Sequence, residues 1–233
     1  MGRYIPADIK RIIRKKANFG CVICGNPIIE YHHIVPYSEV KNHEVENIVA
    51  LCPEHHHRVG CSEISQERLN SFIKSPYNAR NEKVQKDFML SKYDEMVFKA
   101  GGNMFVRTPN IVVINDFPLI KITSDEEGYA VLDVKFYNRI GILQAEIKEN
   151  EWIVYKASEM WDISYSPGSL KINKSNRQIF LELRVSESLI ELRADLYYDG
   201  SILSISPTEI KNTNISLSGN LITDCKTGIN IRK

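Results

Sequence analysis

Residues 21–57 constrain this chain more than any other stretch, because they hold all six histidines and three of the five cysteines. The stretch reads CVICGNPIIEYHHIVPYSEVKNHEVENIVALCPEHHH. Thiols and imidazoles concentrated in so short a segment are typical of a metal site. Five cysteines are few for 233 residues, and an uneven number cannot pair completely, so a disulfide framework is not expected. The stretch therefore predicts a small metal-binding module near the N-terminus.

One ligand set in this stretch combines thiolates with an imidazole. Cys21 and Cys24 have the CxxC spacing, with Gly25 directly after them, that lets two thiolates reach one tetrahedral ion. Cys52 and His55 repeat the same gap after an intervening segment. Sulfur and imidazole ligands at these spacings select Zn²⁺. Because four protein ligands leave no open position, the predicted role of this zinc is structural.

A second set suits a harder ion. His32 and His33 are adjacent, Asn47 lies in the middle of the stretch, and His56 directly follows His55. Adjacent side chains on an extended segment point to opposite sides, so one imidazole can hold a metal while its neighbour meets a water molecule. This division suits metal-assisted phosphodiester cleavage, in which a neutral imidazole takes a proton from the attacking water.

The order CxxC, HHIVP, ENIVALC and a closing histidine resembles the HNH nucleases with a zinc-binding ββα-metal finger. The resemblance covers about the first third of the chain. It implies that His32 and His56 hold a catalytic Mg²⁺ or Mn²⁺, that His33 is the general base, and that Asn47 hydrogen-bonds the loop backbone and keeps His33 aimed. The structural zinc positions that match the family are Cys21, Cys24 and Cys52, with His55 where a fourth cysteine is usual.

The sequence departs from this family pattern at two positions. His55 replaces a cysteine, which leaves His56, His57 and Cys61 as alternative zinc ligands. Gly60 stands where some members have a further metal-binding histidine, so few protein groups would hold the catalytic ion, which favours a water-rich Mg²⁺ or Mn²⁺ site. His43 lies in a polar loop and is interpreted as a solvated residue.

A basic helix is predicted ahead of the finger. In residues 7–17 the isoleucines lie on one face, and Pro6 suits the first turn. Residues 1–102 carry 15 basic and 12 acidic side chains, so this part is expected to meet DNA. The polar face would then track the phosphate backbone, and a solvated helix face is the alternative. Its basic residues are Lys10, Arg11, Arg14, Lys15 and Lys16.

The sequence pattern changes along the chain from helical to strand-like, which predicts an α+β protein. Residues 1–76 are expected to form the HNH-like module with its basic helix, residues 77–102 a helical linker, and residues 103–233 an antiparallel all-β, sandwich-like domain. A small β-solenoid is the alternative for the last part. Its role would be recognition, sensing or oligomerisation. The predicted linker helix could also pair with its copy in a homodimer.

Two further functions stay open beside a DNA endonuclease of restriction or antiviral defence. One is a zinc finger that binds DNA without cutting it, and the other is a regulated effector nuclease that is inactive until its β domain meets a partner or signal. The chain has no apolar stretch long enough to span a bilayer and no signal peptide pattern, so the expected location is cytoplasmic.

Overall fold

A computed structural model describes residues 4–232, so residues 1–3 and 233 of the predicted domain ranges lie outside the described residues. The predicted α+β class is confirmed, with few helices and a large region of mostly antiparallel strands. The chain divides into two compact units. Unit 1 is Met1–Gln85, Lys156–Ser166 and Ile172–Arg177, and unit 2 is Lys86–Tyr155, Pro167–Lys171 and Gln178–Lys233.

The helices and strands follow the chain in this order. The helices are α1 (Ala7–Lys16), α2 (Tyr37–Val40), α3 (Pro53–Gly60), α4 (Gln66–Lys74) and α5 (Tyr77–Asn81), with 3-10 turns at Val45–Asn47, Tyr93–Glu95 and Ala157–Glu159. The strands are β1 (Glu30–His33), β2 (Ile48–Leu51), β3 (Lys83–Asp87), β4 (Val97–Ala100), β5 (Asn103–Val106), β6 (Asn110–Ile114), β7 (Phe117–Ser124), β8 (Ala130–Tyr137), β9 (Leu143–Lys148), β10 (Glu151–Tyr155), β11 (Asp162–Ser166), β12 (Ser169–Ser175), β13 (Gln178–Val185), β14 (Leu189–Tyr198), β15 (Ser201–Ile205), β16 (Ile210–Lys211), β17 (Ser216–Leu217), β18 (Leu221–Thr223) and β19 (Thr227–Ile231).

Unit 1 is built around the antiparallel pair β1 and β2. All four residues of β2 are buried, as its uninterrupted IVAL sequence predicts. Helix α1 buries Ile13 against this pair, and α4 buries Leu69 in the same core. Burying side chains of this size contributes about 1.5–3 kcal/mol each. The remaining buried members of the core are Ile5, Ala17, Cys21, Val22, Ile48, Val49, Ala50, Leu51, Cys52 and Ile64.

The predicted helix over residues 77–102 is wrong. Its apolar residues do not share one face, because Val84 and Met96 are buried while Met89 is 91% exposed. Strand pairing supplies the backbone hydrogen bonds instead, since β4 pairs in parallel with β14 and antiparallel with β5. The segment contains α5, β3, the turn Tyr93–Glu95 and β4.

Unit 2 contains two groups of strands. Six strands that lie wholly in this unit are hydrogen-bonded in the order β19-β6-β7-β8-β9-β10. A second group has the order β13-β14-β15-β16-β17, with β4 beside β14, then β5 and β18. In β8 buried and half-buried residues alternate, as expected for a strand with one face in a core. Phe136 of β8 and Phe180 of β13 meet with ring centroids 6.1 Å apart, so side chains of the two groups share a core.

A helix needs about 20 consecutive apolar residues to span a bilayer. Among residues 4–232, no helix is long and apolar enough to cross a membrane.

Candidate functional site

The predicted zinc ligands lie together in unit 1. The ligand atoms of Cys21, Cys24, Cys52 and His55 are all within 4.8 Å of one another. Cys24 Sγ lies 3.7 Å from Cys52 Sγ, and Cys21 Sγ lies 3.7 Å from His55 Nδ1. A Zn–S bond of about 2.3 Å and tetrahedral angles put two bound sulfur atoms about 3.8 Å apart. Both the donor types and their spacing therefore fit one tetrahedral Zn²⁺.

The electrostatics of this cluster also favour a cation. A hydrogen bond with the Cys24 side chain lowers the pKa of the Cys21 thiol to about 5. The same hydrogen bond raises the pKa of Cys24, and burial raises the pKa of Cys52. Three thiolates crowded into one place repel one another, so all three ionise together only if a positive charge joins them.

The first knuckle is held by a buried asparagine that the sequence reasoning missed. Asn78 of α5 is 4% exposed, and its Nδ2 donates to the carbonyls of Asn18 and Gly25. Gly25 has φ +78°, and a Cβ there would lie 2.2 Å from Asn78 Oδ1. Glycine is therefore required at this turn by both its conformation and its packing.

Helix α3 divides its adjacent histidines between two places. Cys52 caps the helix and Pro53 begins it, so His55 is buried with its Nδ1 3.1 Å from Cys52 Sγ. His56 follows about 100° further round the helix axis. Its ring lies 5.0 Å from the ring of His32 on β1. One imidazole thus joins the thiol cluster and the next one faces β1.

Glu30 contacts the second of these imidazoles. Its Oε2 forms a hydrogen bond with His56 Nδ1. An ionised carboxylate only accepts hydrogen bonds, so Nδ1 is the donor, and in the neutral imidazole the lone pair is then on Nε2. Glu30 and His32 are two residues apart on β1 and therefore share a face of the strand.

His33 points to the other side of β1 from His32. There His33 Nε2 lies 3.1 Å from His43 Nδ1, and its ring is 5.6 Å from that of Tyr37. Stacking at 4.8 Å also joins Tyr37 and His43. The interpretation of His43 as a solvated loop residue is therefore wrong, because it contacts both an aromatic ring and the candidate base.

The loop after His33 is fixed by Asn47. The Val35 N–H donates to Asn47 Oδ1 over 2.7 Å, and Asn47 Nδ2 donates to the Val35 carbonyl over 3.0 Å. The Ile34 N–H donates to the Asn47 backbone carbonyl over 2.9 Å. Three hydrogen bonds thus tie the two residues that follow His33 to one asparagine.

Both histidines of β1 favour the neutral form. Partial burial lowers the pKa of His32, and the nearby imidazoles of His56 and His33 lower it further. Burial likewise lowers the pKa of His33, with His43 acting in the same direction. A neutral imidazole is the form that binds a metal or accepts a proton.

Comparison with known families agrees with this geometry. Residues 21–60 match the family model of the HNH endonucleases. The cluster of Cys21, Cys24, Cys52 and His55 lies within the matched residues and fits a zinc-binding HNH module in the N-terminal part of the chain. No curated protein and no solved structure gives a significant match to the chain.

The basic residues of α1 make contacts within unit 1. Arg14 forms a paired hydrogen bond with Asp162, and their side chains are 17% and 14% exposed. Arg11 lies over the ring of Trp161 at 4.5 Å. The other contacts are Lys15 Nζ with the carbonyls of Ser158 and Met160, Lys16 with Glu46, and Lys10 over the rings of Tyr4 and Tyr31. The face thus also binds the segment Lys156–Ser166 to the HNH module.

Besides Asn78, the sequence reasoning missed three residues near the candidate catalytic histidines, namely Glu30, His43 and Tyr37. Glu30 has a local signal, since it precedes His32 by two residues on a predicted strand. His43 and Tyr37 have none, because they lie in a loop whose path brings them back to His33. His57 and Cys61, which the sequence left open as zinc ligands, lie outside the cluster of four and contact each other, with Nε2 and Sγ 3.6 Å apart.

Proposed function

We propose that this protein is a metal-dependent DNA endonuclease that hydrolyses phosphodiester bonds with His33 as general base. The observation that carries the proposal is the arrangement on β1. His32 faces His56 on one side, while His33 lies on the other side with its following loop braced by Asn47. A purely structural zinc finger has no use for these four side chains.

The donor set around His32 and His56 fits a catalytic Mg²⁺ or Mn²⁺. Two imidazoles, with the Glu30 carboxylate beside them, leave most coordination positions to water and phosphate, as these ions prefer. A bound ion would stabilise the negative charge that develops on the phosphate. Zinc remains assigned to the separate thiol cluster.

His33 carries the proton transfer. Its neutral imidazole takes a proton from water as the water oxygen forms a bond to phosphorus and the bond to the 3′ oxygen breaks. The departing 3′ oxygen is protonated from solvent, which leaves a 3′ hydroxyl and a 5′ phosphate. Asn47 contributes by holding the backbone at Val35, so that the His33 imidazole keeps its orientation and the loop need not rearrange during the reaction.

The pH dependence of cleavage follows from the lowered pKa of His33. Burial and His43 lower this pKa below the ordinary histidine value of about 6.5. A cation held by His32 would act in the same direction. Activity is therefore retained down to a pH below that value and is lost as His33 becomes protonated. Initial rates of plasmid cleavage measured between pH 5 and about 8 test this expectation, and an acid limb above the ordinary value would contradict it.

Glu30 is expected to support the catalytic ion through His56. In Glu30→Gln the charge that fixes His56 is lost, so Mn²⁺ affinity should fall about 10- to 100-fold. Isothermal titration of the zinc-loaded protein with Mn²⁺ measures this directly. Glu54→Gln is the matched control, because Glu54 is an exposed carboxylate of α3 that contacts Arg58. Equal Mn²⁺ affinity in Glu30→Gln and the wild type would contradict the role of Glu30 in supporting the catalytic ion through His56.

A substrate panel tests the proposed function as a whole. Purified full-length protein is incubated with supercoiled, linear, modified and single-stranded DNA, and with RNA, in Mg²⁺ or Mn²⁺. Cleavage of DNA supports an endonuclease, whereas binding without cleavage would favour the non-catalytic zinc finger. Cleavage that starts only when a partner or signal is added would favour the regulated effector.

Five further proposals concern the setting of this activity. Restriction or antiviral defence and a cytoplasmic location stay predictions, as does a role of the β-rich region in recognition, sensing or oligomerisation. The basic residues of α1 are proposed to add phosphate contacts, and Lys15 and Lys16 are exposed although each also has a partner within unit 1. A homodimer also stays a prediction, and sedimentation of the full-length protein tests it.

A further inference from the structure

The proposed chemistry uses neither His43 nor the exposed His57 among the histidines of residues 21–57. His43 lies ten residues beyond His33 along the chain, yet the loop returns it to within 3.1 Å of the His33 ring nitrogen Nε2. Its ring is also stacked on Tyr37, with centroids 4.8 Å apart and planes 17° apart. A contact on two sides indicates a side chain that is held in place.

The contact determines which nitrogen of His33 can act as a base. A neutral imidazole has one N–H and one lone pair, and the hydrogen bond at one nitrogen decides which form is present. Because Nε2 of His33 faces His43, only Nδ1 is left to meet a water molecule. A base needs its lone pair on that nitrogen, so Nε2 must carry the proton and donate it to His43 Nδ1.

We propose that His43 is a positioning residue that accepts a hydrogen bond from His33 Nε2 and thereby keeps the His33 Nδ1 lone pair directed at the attacking water. Tyr37 holds the His43 ring through its stack. The proposal rests on the proposed nuclease function of His33. It gives the loop between β1 and β2 a chemical role beyond connecting the two strands.

The surrounding loop is built to hold this geometry. Asn47 ties the loop to Val35 by two hydrogen bonds, and the Lys41 N–H donates to the Tyr37 carbonyl at the end of α2. Lys41 has φ +52°, so the chain turns sharply after α2 and brings His43 back over Tyr37. Both ends of the segment that carries His43 are therefore anchored near His33.

Two substitutions separate acceptance of the hydrogen bond from simple packing. His43→Ala removes the acceptor, whereas His43→Asn keeps an oxygen close to the position of Nδ1. His57→Ala is the matched control, since His57 is an exposed histidine of α3 outside the site. Each variant is made in the full-length, zinc-loaded protein, and thermal unfolding verifies that it is folded.

The readouts are the steady-state kinetics of plasmid cleavage and the ring ¹⁵N spectra of His33. His43→Ala should lower kcat about 10- to 100-fold at unchanged KM. A loss of this size is typical when a residue that orients a histidine at a metal site is removed. His43→Ala should also abolish the hydrogen-bonded Nε2 proton of His33 in the spectrum. His43→Asn should restore most of kcat and this proton, and His57→Ala should match the wild type.

The outcomes distinguish this inference from the proposed function. If His33→Ala removes cleavage while His43→Ala keeps the wild-type kcat and His33 spectrum, the positioning role is overturned and the nuclease function stands. A proton found on His33 Nδ1 in the wild type would also overturn it. Cleavage that persists in His33→Ala would instead overturn the proposed function, whatever the spectra show.

Discussion

Replacing His33 with alanine is expected to abolish DNA cleavage. The substitution removes the only group proposed to take a proton from the attacking water, and general-base catalysis contributes about 10²- to 10⁴-fold to a rate. Folding should not change, because His33 is a half-buried side chain outside the apolar core of unit 1. Initial rates of plasmid nicking by the full-length protein, with zinc content and thermal unfolding measured on the same sample, test this expectation.

His57→Ala provides the comparison for this experiment, because it removes an exposed imidazole from α3 without touching β1. Its nicking rate should equal that of the wild type. If His33→Ala cuts as fast as His57→Ala, a different group activates the water, and the mechanism proposed for β1 is wrong.

The second large effect is expected from Cys24→Ser. This substitution leaves three of the four clustered ligands, and the hydroxyl that replaces the thiol is a poor zinc ligand. Structural zinc contributes about 10–16 kcal/mol of apparent binding free energy in small zinc-finger modules. Loss of the ion should therefore unfold the HNH module, since the ion would join Cys21 and Cys24 of the first knuckle to Cys52 and His55 at the start of α3.

Zinc per chain, measured by mass spectrometry, should fall to near zero in Cys24→Ser, and amide hydrogen exchange should rise across residues 21–60. Strands of unit 2 such as β8 should keep their protection, because the cluster lies in unit 1. Cys61→Ser is the control, as Cys61 is exposed and outside the cluster. A Cys24→Ser protein with full zinc content and unchanged exchange would contradict the structural role of the ion.

Local features of the site could be predicted from the sequence because their cause is local. The CxxC spacing fixes the first knuckle, and the IVAL run predicts β2 with its bounds. Pro53 marks the start of α3, which then separates His55 from His56 by the helical rotation. Alternation along β1 likewise sends His32 and His33 to opposite sides.

Features that depend on distant parts of the chain could not be predicted. One edge of β4 pairs with β14, which lies far along the chain, and the other with the neighbouring β5. Similarly, nothing in the first 102 residues indicates that Arg14 needs Asp162 as its partner. A fragment that ends near Gly102 would lack Asp162. Whether a partner or signal activates the nuclease should therefore be tested with the full-length chain.

The contacts of His43 and Glu30 were missed for two different reasons. His43 depends on the path of an irregular loop, which has no periodic signal in sequence. Glu30 shares a strand face with His32, but it is exposed and is one of many carboxylates in the chain, and its contact with His56 depends on where α3 lies. Hydrogen bonds between side chains distant in sequence can be identified only from the three-dimensional structure.

The most direct measurement is the chemistry of the DNA ends produced by the wild-type protein. Plasmid treated with zinc-loaded protein and Mn²⁺ should carry 5′ phosphate and 3′ hydroxyl ends, and chelation of Mn²⁺ should prevent every cut. Plasmid that is bound but stays intact with both Mg²⁺ and Mn²⁺, or ends that carry a 3′ phosphate, would contradict a hydrolytic site built on His32, His33 and His56.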